Sequence, residues 1–135
     1  MKYMIITNNI LVNEKYGDLL VHKNLTDLKF LEEKSFLEVL EYVRDHVHMG
    51  HTLLTHPLTG SIKPYETPYK SVVISSKAGD MEMDSLSIIE NAIEVTKKFM
   101  RDYRPKDLKE KHHKDFKVID LSLIASGIES INQFN

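Results

Sequence analysis

The chain has no cysteine. This absence excludes disulfide bonds, thiolate metal sites, iron–sulfur ligation and cysteine nucleophiles. No apolar run approaches the roughly 18 residues that cross a bilayer, and the opening stretch MKYMIITNN has too short an apolar region for a signal peptide. We therefore expect a soluble, cytoplasmic protein that does not enter a membrane and has no redox chemistry of its own.

Length and composition fit one folded unit. Of the 135 residues, 41% are hydrophobic and 28% are charged, which is enough to bury one core. No internal repeat or low-complexity segment divides the sequence. We therefore expect a single α/β domain over residues 1–135.

The net charge of −2 conceals a basic segment at residues 97–114, where eight Lys or Arg stand against three Asp or Glu. Such a run is typical of a solvated helix end and linker, and it also fits a patch for an acidic protein surface or nucleic acid. Only Phe99 and Tyr103 place aromatic rings among these charges. Nucleic-acid binding is therefore not expected.

Short apolar and β-branched runs predict strands at residues 3–7, 53–55 and 71–75. Residues 19–22 and 28–31 are expected to be extended, with only one of them a true strand of the sheet.

Helical periodicity is clearest after Ser35, because Glu38 completes an S-x-x-E capping box and Gly50 ends the pattern. A longer helix is predicted for residues 84–103. In the tail, residues 117–123 alternate as a strand would, but apolar spacing favours a helix over residues 122–131.

Strands that alternate with helices predict an α/β fold, a three-layer α/β/α sandwich with a small, mainly parallel, Rossmann-like sheet. Sites in such sheets lie at the carboxyl ends of strands. Asn8 and Asn9 follow the first predicted strand, and a second loop at this edge begins after Thr55.

That second loop belongs to the segment GHTLLTHPLTGSIKPYETPYKS, residues 50–71, which is rich in His, Pro, Gly, Ser, Thr and Lys. Pro57 biases His56 toward extended backbone, and we expect this imidazole at the sheet edge. There it would bind a loop carbonyl, or act as acid, base or anion donor near neutral pH.

Within TGSIK, a glycine, backbone N–H groups, two hydroxyls and the Lys63 ammonium form the parts of an anion nest. The stretch lacks both the P-loop pattern and the G-x-S-x-G elbow of a serine nucleophile. The following KPYETPYKS is stiffened by Pro64 and Pro68. It displays Glu66 and Lys70, or it is simply a rigid connector into the next strand.

Four histidines, His46, His48, His51 and His56, lie close together in sequence. They do not include the i, i+4 pair of a zinc helix, and no cysteine or obvious carboxylate completes a ligand set. We expect neither a metal nor a cofactor.

The stretches MIITNNILVNEKY, residues 4–16, and GHTLLTHPLTGSIKPYETPYKS, with the strand that follows it, resemble the GrdX family. The genes of that family lie among those of glycine, sarcosine and betaine reductase systems. The resemblance implies an accessory role beside such a reductase and implies no reaction or catalytic residue. The sequence after Ser76 has no diagnostic feature of the family.

Two hypotheses follow. In the first, the chain is a non-catalytic accessory protein whose 50–71 surface docks on a reductase component protein. In the second, it binds or converts a small carboxylate or phosphate at the same loop. The near absence of a full catalytic set favours the first, and a homo-oligomer is compatible with either. The candidate binding residues are Asn8, Asn9, His56, Thr59, Gly60, Ser61, Lys63, Glu66, Thr67 and Lys70.

Overall fold

The computed structural model describes residues 1–58, 63–104 and 107–133. Its elements are, in chain order, β1 (Tyr3–Thr7), α1 (Ile10–Tyr16), β2 (Leu25–Phe30), α2 (Phe36–His48), β3 (Ser71–Ser75), α3 (Met83–Asp102) and α4 (Glu110–Gln133), with a short 3-10 helix at Leu19–Val21 between α1 and β2. No helix in these described ranges is both long enough and apolar enough to cross a membrane.

The three strands form an open mixed sheet in the order β2-β1-β3. β1 pairs with β2 in parallel and with β3 in antiparallel fashion, with Thr7 opposite Ser71 and Tyr3 opposite Ser75. The fold is thus a mixed α/β fold with four helices in the described chain. A three-layer sandwich with a mainly parallel sheet is not confirmed, because only one of the two strand pairs is parallel.

The route of the chain explains the antiparallel pair. Parallel strands need a crossover of a dozen or more residues, usually through a helix. The connection between β1 and β2 contains α1. Between α2 and β3, by contrast, the described part of residues 51–70 contains no helix, and the chain there runs beside β3. The Leu54 N–H donates to the Val73 carbonyl at 2.9 Å, and the Ser75 N–H donates to the Thr52 carbonyl at 2.8 Å.

The predicted strand at residues 53–55 is wrong in extent. Leu53 makes only an isolated antiparallel bridge with Ile74, and residues 53–55 are half-buried rather than buried. The segment pairs briefly with β3 and then leaves it. By contrast, the strands predicted at residues 3–7 and 71–75 are confirmed at both ends.

Local capping fixes the start of α2 as the sequence predicts. The Ser35 hydroxyl accepts from the Glu38 N–H at 3.1 Å, and Glu38 Oε1 accepts from the Ser35 N–H at 3.0 Å. This backbone donor, with the Ser35 hydroxyl, holds the pKa of Glu38 below its usual range. Gly50, just beyond α2, has φ of +106° and packs directly against the Gly79 backbone, so a side chain there is excluded.

Two uncertain segments resolve into helices. Residues 19–21 form a 3-10 turn rather than an extended piece, whereas most of residues 28–31 belongs to β2. Residues 117–123 lie inside α4. The buried residues of that helix recur at every fourth position: Asp120, Ile124 and Ile128. That spacing gives one buried helical face.

Alternating side chains of β1 enter two separate hydrophobic clusters. Met4 and Ile6 pack with α2 and α3, while Tyr3 and Ile5 pack with α1 and α4. Successive side chains of a strand point to opposite faces, so helices cover the sheet on both sides. The core of the molecule depends on this central strand, whose five residues are all buried.

We expect Leu40→Ala and Ile93→Ala each to lower the free energy of unfolding by about 2–5 kcal/mol, because each removes a buried side chain and leaves a cavity. Both side chains belong to the cluster between the sheet and α2 with α3, at 0% and 2% exposure. Denaturant melts measure the change. Leu20→Ala is the matched control, since Leu20 is 97% exposed, and a loss below about 1 kcal/mol in the two core variants would contradict the packing.

Candidate functional site

The candidate site lies where β1 ends and β3 begins. Because these strands are antiparallel, the carboxyl end of β1 adjoins the amino end of β3, and Thr7 pairs with Ser71. Asn8 and Asn9 follow Thr7, while Lys70 precedes Ser71. The sequence predicts that the carboxyl ends of two neighbouring strands lie together here. In the structure, the carboxyl end of β1 lies beside the amino end of β3 instead.

A closed ring of hydrogen bonds joins this corner to α4. The Ser71 hydroxyl donates to Asp120 Oδ2 at 2.7 Å, and the Asn9 side-chain amide donates to the same oxygen at 3.0 Å. The hydroxyls of Thr7 and Ser71 lie 2.6 Å apart, and the Asn9 N–H donates to Thr7 Oγ1 at 2.9 Å. Since Ser71 gives its proton to Asp120, the Thr7 hydroxyl donates to Ser71. The ring fixes the Asp120 carboxylate against the sheet.

The two asparagines position backbone around this ring. The Asn8 side-chain amide donates to the carbonyls of Lys34 and Pro68, both at 2.8 Å, and its Oδ1 accepts from the Lys70 N–H at 2.9 Å. Asn9 caps α1 and donates to the Lys117 carbonyl of α4 at 2.8 Å. These contacts with the protein engage both amides, so the asparagines hold the site together.

Lys70 is the unusual member of the site. The residue is nearly buried, at 6% exposure, and its ammonium makes no ion pair and no hydrogen bond with any described residue. No fully buried side-chain nitrogen of the described residues lacks a partner, so this ammonium keeps some contact with solvent. The ammonium lies 5.7 Å from the centre of the Phe36 ring. Burial lowers the pKa of Lys70 below its usual value, while the negative charge of Asp120 offsets part of that fall.

Lys70, Ser71 and Asp120 line an open cleft of about 620 Å³ between residues 54–56 and α4. Its walls are mostly apolar and include Leu54, Leu123 and Ile124. Gly127 permits the close approach of α4, because a side chain there would meet Thr55 Cγ2 at 3.0 Å. A cation and a carboxylate thus share one mostly apolar cleft.

His56 lies at the exposed side of the same cleft. It does not follow a strand of the sheet, contrary to expectation, and its Nδ1 accepts from the Leu58 N–H at 3.0 Å. That bond requires Nδ1 to be unprotonated, so the imidazole proton is on Nε2.

Lys63 and Glu66 form a local turn near the end of α3. The Glu66 carboxylate accepts from the Lys63 N–H at 3.3 Å, and the Lys63 ammonium lies 5.6 Å from the centre of the Phe99 ring. Between them Tyr65 stacks on Tyr103 with ring centres 4.6 Å apart. Lys63 thus contacts Glu66 and α3, and neither Lys63 nor Glu66 bonds to the ring around Asp120.

The remaining candidates have simpler placements. The Thr67 hydroxyl accepts from the Tyr69 N–H at 3.1 Å, and Thr67 shares with Lys70 a small cavity of about 30 Å³ beside the cleft. Thr59, Gly60 and Ser61 lie outside the described residues. Among the sequence-based candidates, hydrogen bonds join Asn8 to Lys70 and Lys63 to Glu66, while Asn9 belongs to the ring around Asp120.

Asp120 is the member of the candidate site that sequence reasoning missed. Its signal is positional, because it precedes Ile124 and Ile128 at four-residue spacing and so places a carboxylate on the buried face of a helix. A carboxylate is almost never buried without a partner. That pattern identifies Asp120 as an unusual residue without indicating Ser71 and Asn9 as its partners.

The clustered histidines have separate protein partners. His46 Nδ1 lies 3.0 Å from the Tyr42 carbonyl, His51 Nδ1 lies 2.8 Å from the Ser75 carbonyl, and His48 lies 3.4 Å from Glu90. Among the residues the structure describes, no group of three or more His, Asp or Glu is arranged to hold a metal ion.

A protein-family model matches most of the chain. A family model described as GrdX-like protein matches residues 4–129, and the chain therefore belongs to the GrdX-like family. The match continues past Ser76, where the two motifs offered nothing diagnostic, and includes the basic segment and most of α4. No curated protein and no solved structure matches the chain significantly.

We expect Lys70→Met to leave the melting temperature unchanged or raise it. Below its lowered pKa, Lys70 is protonated in both the folded and the unfolded chain, so the full cost of burying the charge is present there. That cost disappears as pH rises from the lowered pKa to the ordinary lysine value of about 10.4. The difference between variant and wild type should therefore shrink over that window.

Thermal melts across pH measure this difference. Lys77→Met, which changes an exposed lysine, is the control and should stay within about 0.5 kcal/mol of wild type. A loss above about 1 kcal/mol in Lys70→Met at neutral pH would mean that the ammonium stabilises the fold.

Proposed function

We propose that this GrdX-like chain binds a small carboxylate in the cleft beside Lys70. The observation that carries the proposal is a lysine that is only 6% exposed, lines the cleft and has no ion pair with any described residue. Lysine is almost never buried unless it is paired. A bound anion would supply the missing partner.

Physical chemistry favours this arrangement as a binding site. An ammonium held between apolar walls interacts with an anion more strongly than one in water, because the local dielectric is lower. A charge-assisted hydrogen bond of this kind contributes about 1.5–3 kcal/mol. The Asn8 side chain accepts from the Lys70 backbone N–H, which holds the start of the lysine in place.

The charge of the site supports a carboxylate over a phosphate. Among the described residues that line the cleft, Lys70 is the one Lys or Arg, Asp120 is the one Asp or Glu, and Met1 carries the amino-terminal ammonium. A doubly charged phosphate would be repelled more strongly by Asp120 than a carboxylate would. A monoanion fits this balance better.

A binding role is better supported than a reaction. The Ser71 hydroxyl donates to Asp120 and lies within hydrogen-bond distance of the Thr7 hydroxyl, so its proton is directed away from a general base such as histidine. The family resemblance implies a place beside a glycine reductase-type system, whose substrates are amino acids. We therefore propose a non-catalytic accessory protein that binds a small carboxylate.

We expect propionate and 3-methylbutanoate to bind the wild-type protein at neutral pH and to lose at least about tenfold in affinity in Lys70→Met, since a charge-assisted contact is removed. Titration calorimetry or amide chemical shifts measure the binding. Lys77→Met is the matched control and should bind as wild type does. Equal affinity in Lys70→Met and wild type would contradict the proposal.

The same binding should depend on pH with a definite sign. A carboxylate needs the protonated ammonium, so affinity should be full below the lowered pKa of Lys70 and should fall about tenfold for each pH unit above it. Lys70→Arg keeps its charge throughout this range. It should therefore bind without that fall, whereas a pH-independent wild type would exclude Lys70 as the binding group.

A second candidate function is docking on a reductase component protein, and the surface around Lys63 supports it. Tyr65 and Tyr103 stack there, Tyr103 is half exposed, and the exposed Lys97, Lys98 and Arg101 lie near the end of α3. Aromatic rings beside cations are typical of protein interfaces with acidic partners.

We expect Lys63→Ala to weaken binding to the purified reductase component about tenfold, because one charge-assisted contact is lost. The melting temperature should barely change, because Lys63 is exposed. Surface plasmon resonance against each component measures the affinity, with Lys23→Ala as an exposed control. Undiminished affinity in Lys63→Ala would remove this surface from consideration.

A further inference from the structure

We infer that the ligand of the cleft is an α-amino acid, bound with its carboxylate at Lys70 and its ammonium at Asp120. This inference rests on the proposed function, and it adds the second charged group of the ligand. It assigns separate roles to two oppositely charged residues that belong to different elements of the fold.

The first argument is the separation of the two protein charges. Lys70 and Asp120 are 6% and 7% exposed and line the same cleft, yet no ion pair within 4.0 Å joins them. The attraction between opposite charges weakens as their separation grows, so two charges held apart leave each other only partly compensated. A ligand with a negative and a positive end would satisfy both of them at once.

The second argument is the hydrogen bonding of Asp120. Both of its protein donors, Ser71 and Asn9, bind Oδ2. Oδ1 accepts no hydrogen bond from any described residue, although an ionised carboxylate accepts on both oxygens. Because Ser71 and Asn9 also hold the side chain in one orientation, Oδ1 is a fixed acceptor for an ammonium group.

The third argument is the net charge of the cleft. A simple carboxylate gains from Lys70 but is repelled by Asp120, and a simple amine has the reverse problem. A zwitterion gains from both residues and brings no net charge into a mostly apolar site. Leu54, Leu123 and Ile124 form walls that suit an aliphatic side chain.

The test compares ligands that differ by one charged group. We expect at least one coded α-amino acid to raise the melting temperature of the wild-type protein in a thermal-shift screen. L-valine is the reference probe, with 3-methylbutanoate, which lacks its ammonium, and isobutylamine, which lacks its carboxylate. By calorimetry, the amino acid should bind at least about tenfold more tightly than either matched analogue, since each lacks one charge-assisted contact.

The variant Asp120→Asn separates the roles of the two charges. An asparagine oxygen still accepts from Ser71 and Asn9, so the ring of hydrogen bonds is kept while the negative charge is lost. We expect this variant to bind the amino acid no more tightly than the matched carboxylate. Lys70→Met should lose both ligands, and Asp115→Asn, an exposed position on the same helix, is the control.

The outcomes are distinct. If 3-methylbutanoate binds as tightly as the amino acid, the inference is wrong and carboxylate binding stands. If neither the amino acids nor the carboxylates bind, both proposals are wrong. If Asp120→Asn does not fold, the comparison of the three ligands on the wild-type protein still decides between a zwitterion and a simple anion.

Discussion

The antiparallel pairing of β1 with β3 is the constraint on which the rest of the molecule depends. It places Thr7 opposite Ser71, so two hydroxyls meet inside the protein and must be satisfied there. The Asp120 carboxylate of α4 accepts from the Ser71 hydroxyl, and the Asn9 side-chain amide donates to the same carboxylate. A helix from the far end of the sequence is thereby attached to the central strand, and the cleft forms where it meets residues 54–56.

This attachment places a nearly buried lysine close to the Asp120 carboxylate. The ring of hydrogen bonds provides the donors that hold Asp120, but no described residue forms an ion pair or hydrogen bond with the Lys70 ammonium, which lies 5.7 Å from the centre of the Phe36 ring. Burial lowers the pKa of that lysine, which means that the folded protein disfavours its charge relative to water. Residues that oppose stability in this way are typical of binding sites, since the ligand supplies the compensating interaction.

Much of the secondary structure could be predicted from the sequence, because its signals are local. The Ser35–Glu38 capping box marks the start of α2, and the short β-branched runs mark β1 and β3. Residues 53–55 are apolar enough for a strand, but they form only an isolated bridge with β3, between Leu53 and Ile74. Strand pairing depends on where a distant chain segment lies, which local periodicity does not determine.

The sequence by itself indicated Asn8, Asn9 and Lys70 as candidates near the sheet edge, and it determined the family through two motifs. Only the tertiary structure decided the direction of β3 and the contact of α4 with that edge of the sheet. Asp120 is separated from Ser71 by 49 positions, so their contact arises from the packing of α4 on the sheet. Local spacing contains no information about such a contact, because it exists only once strand order and helix placement are fixed.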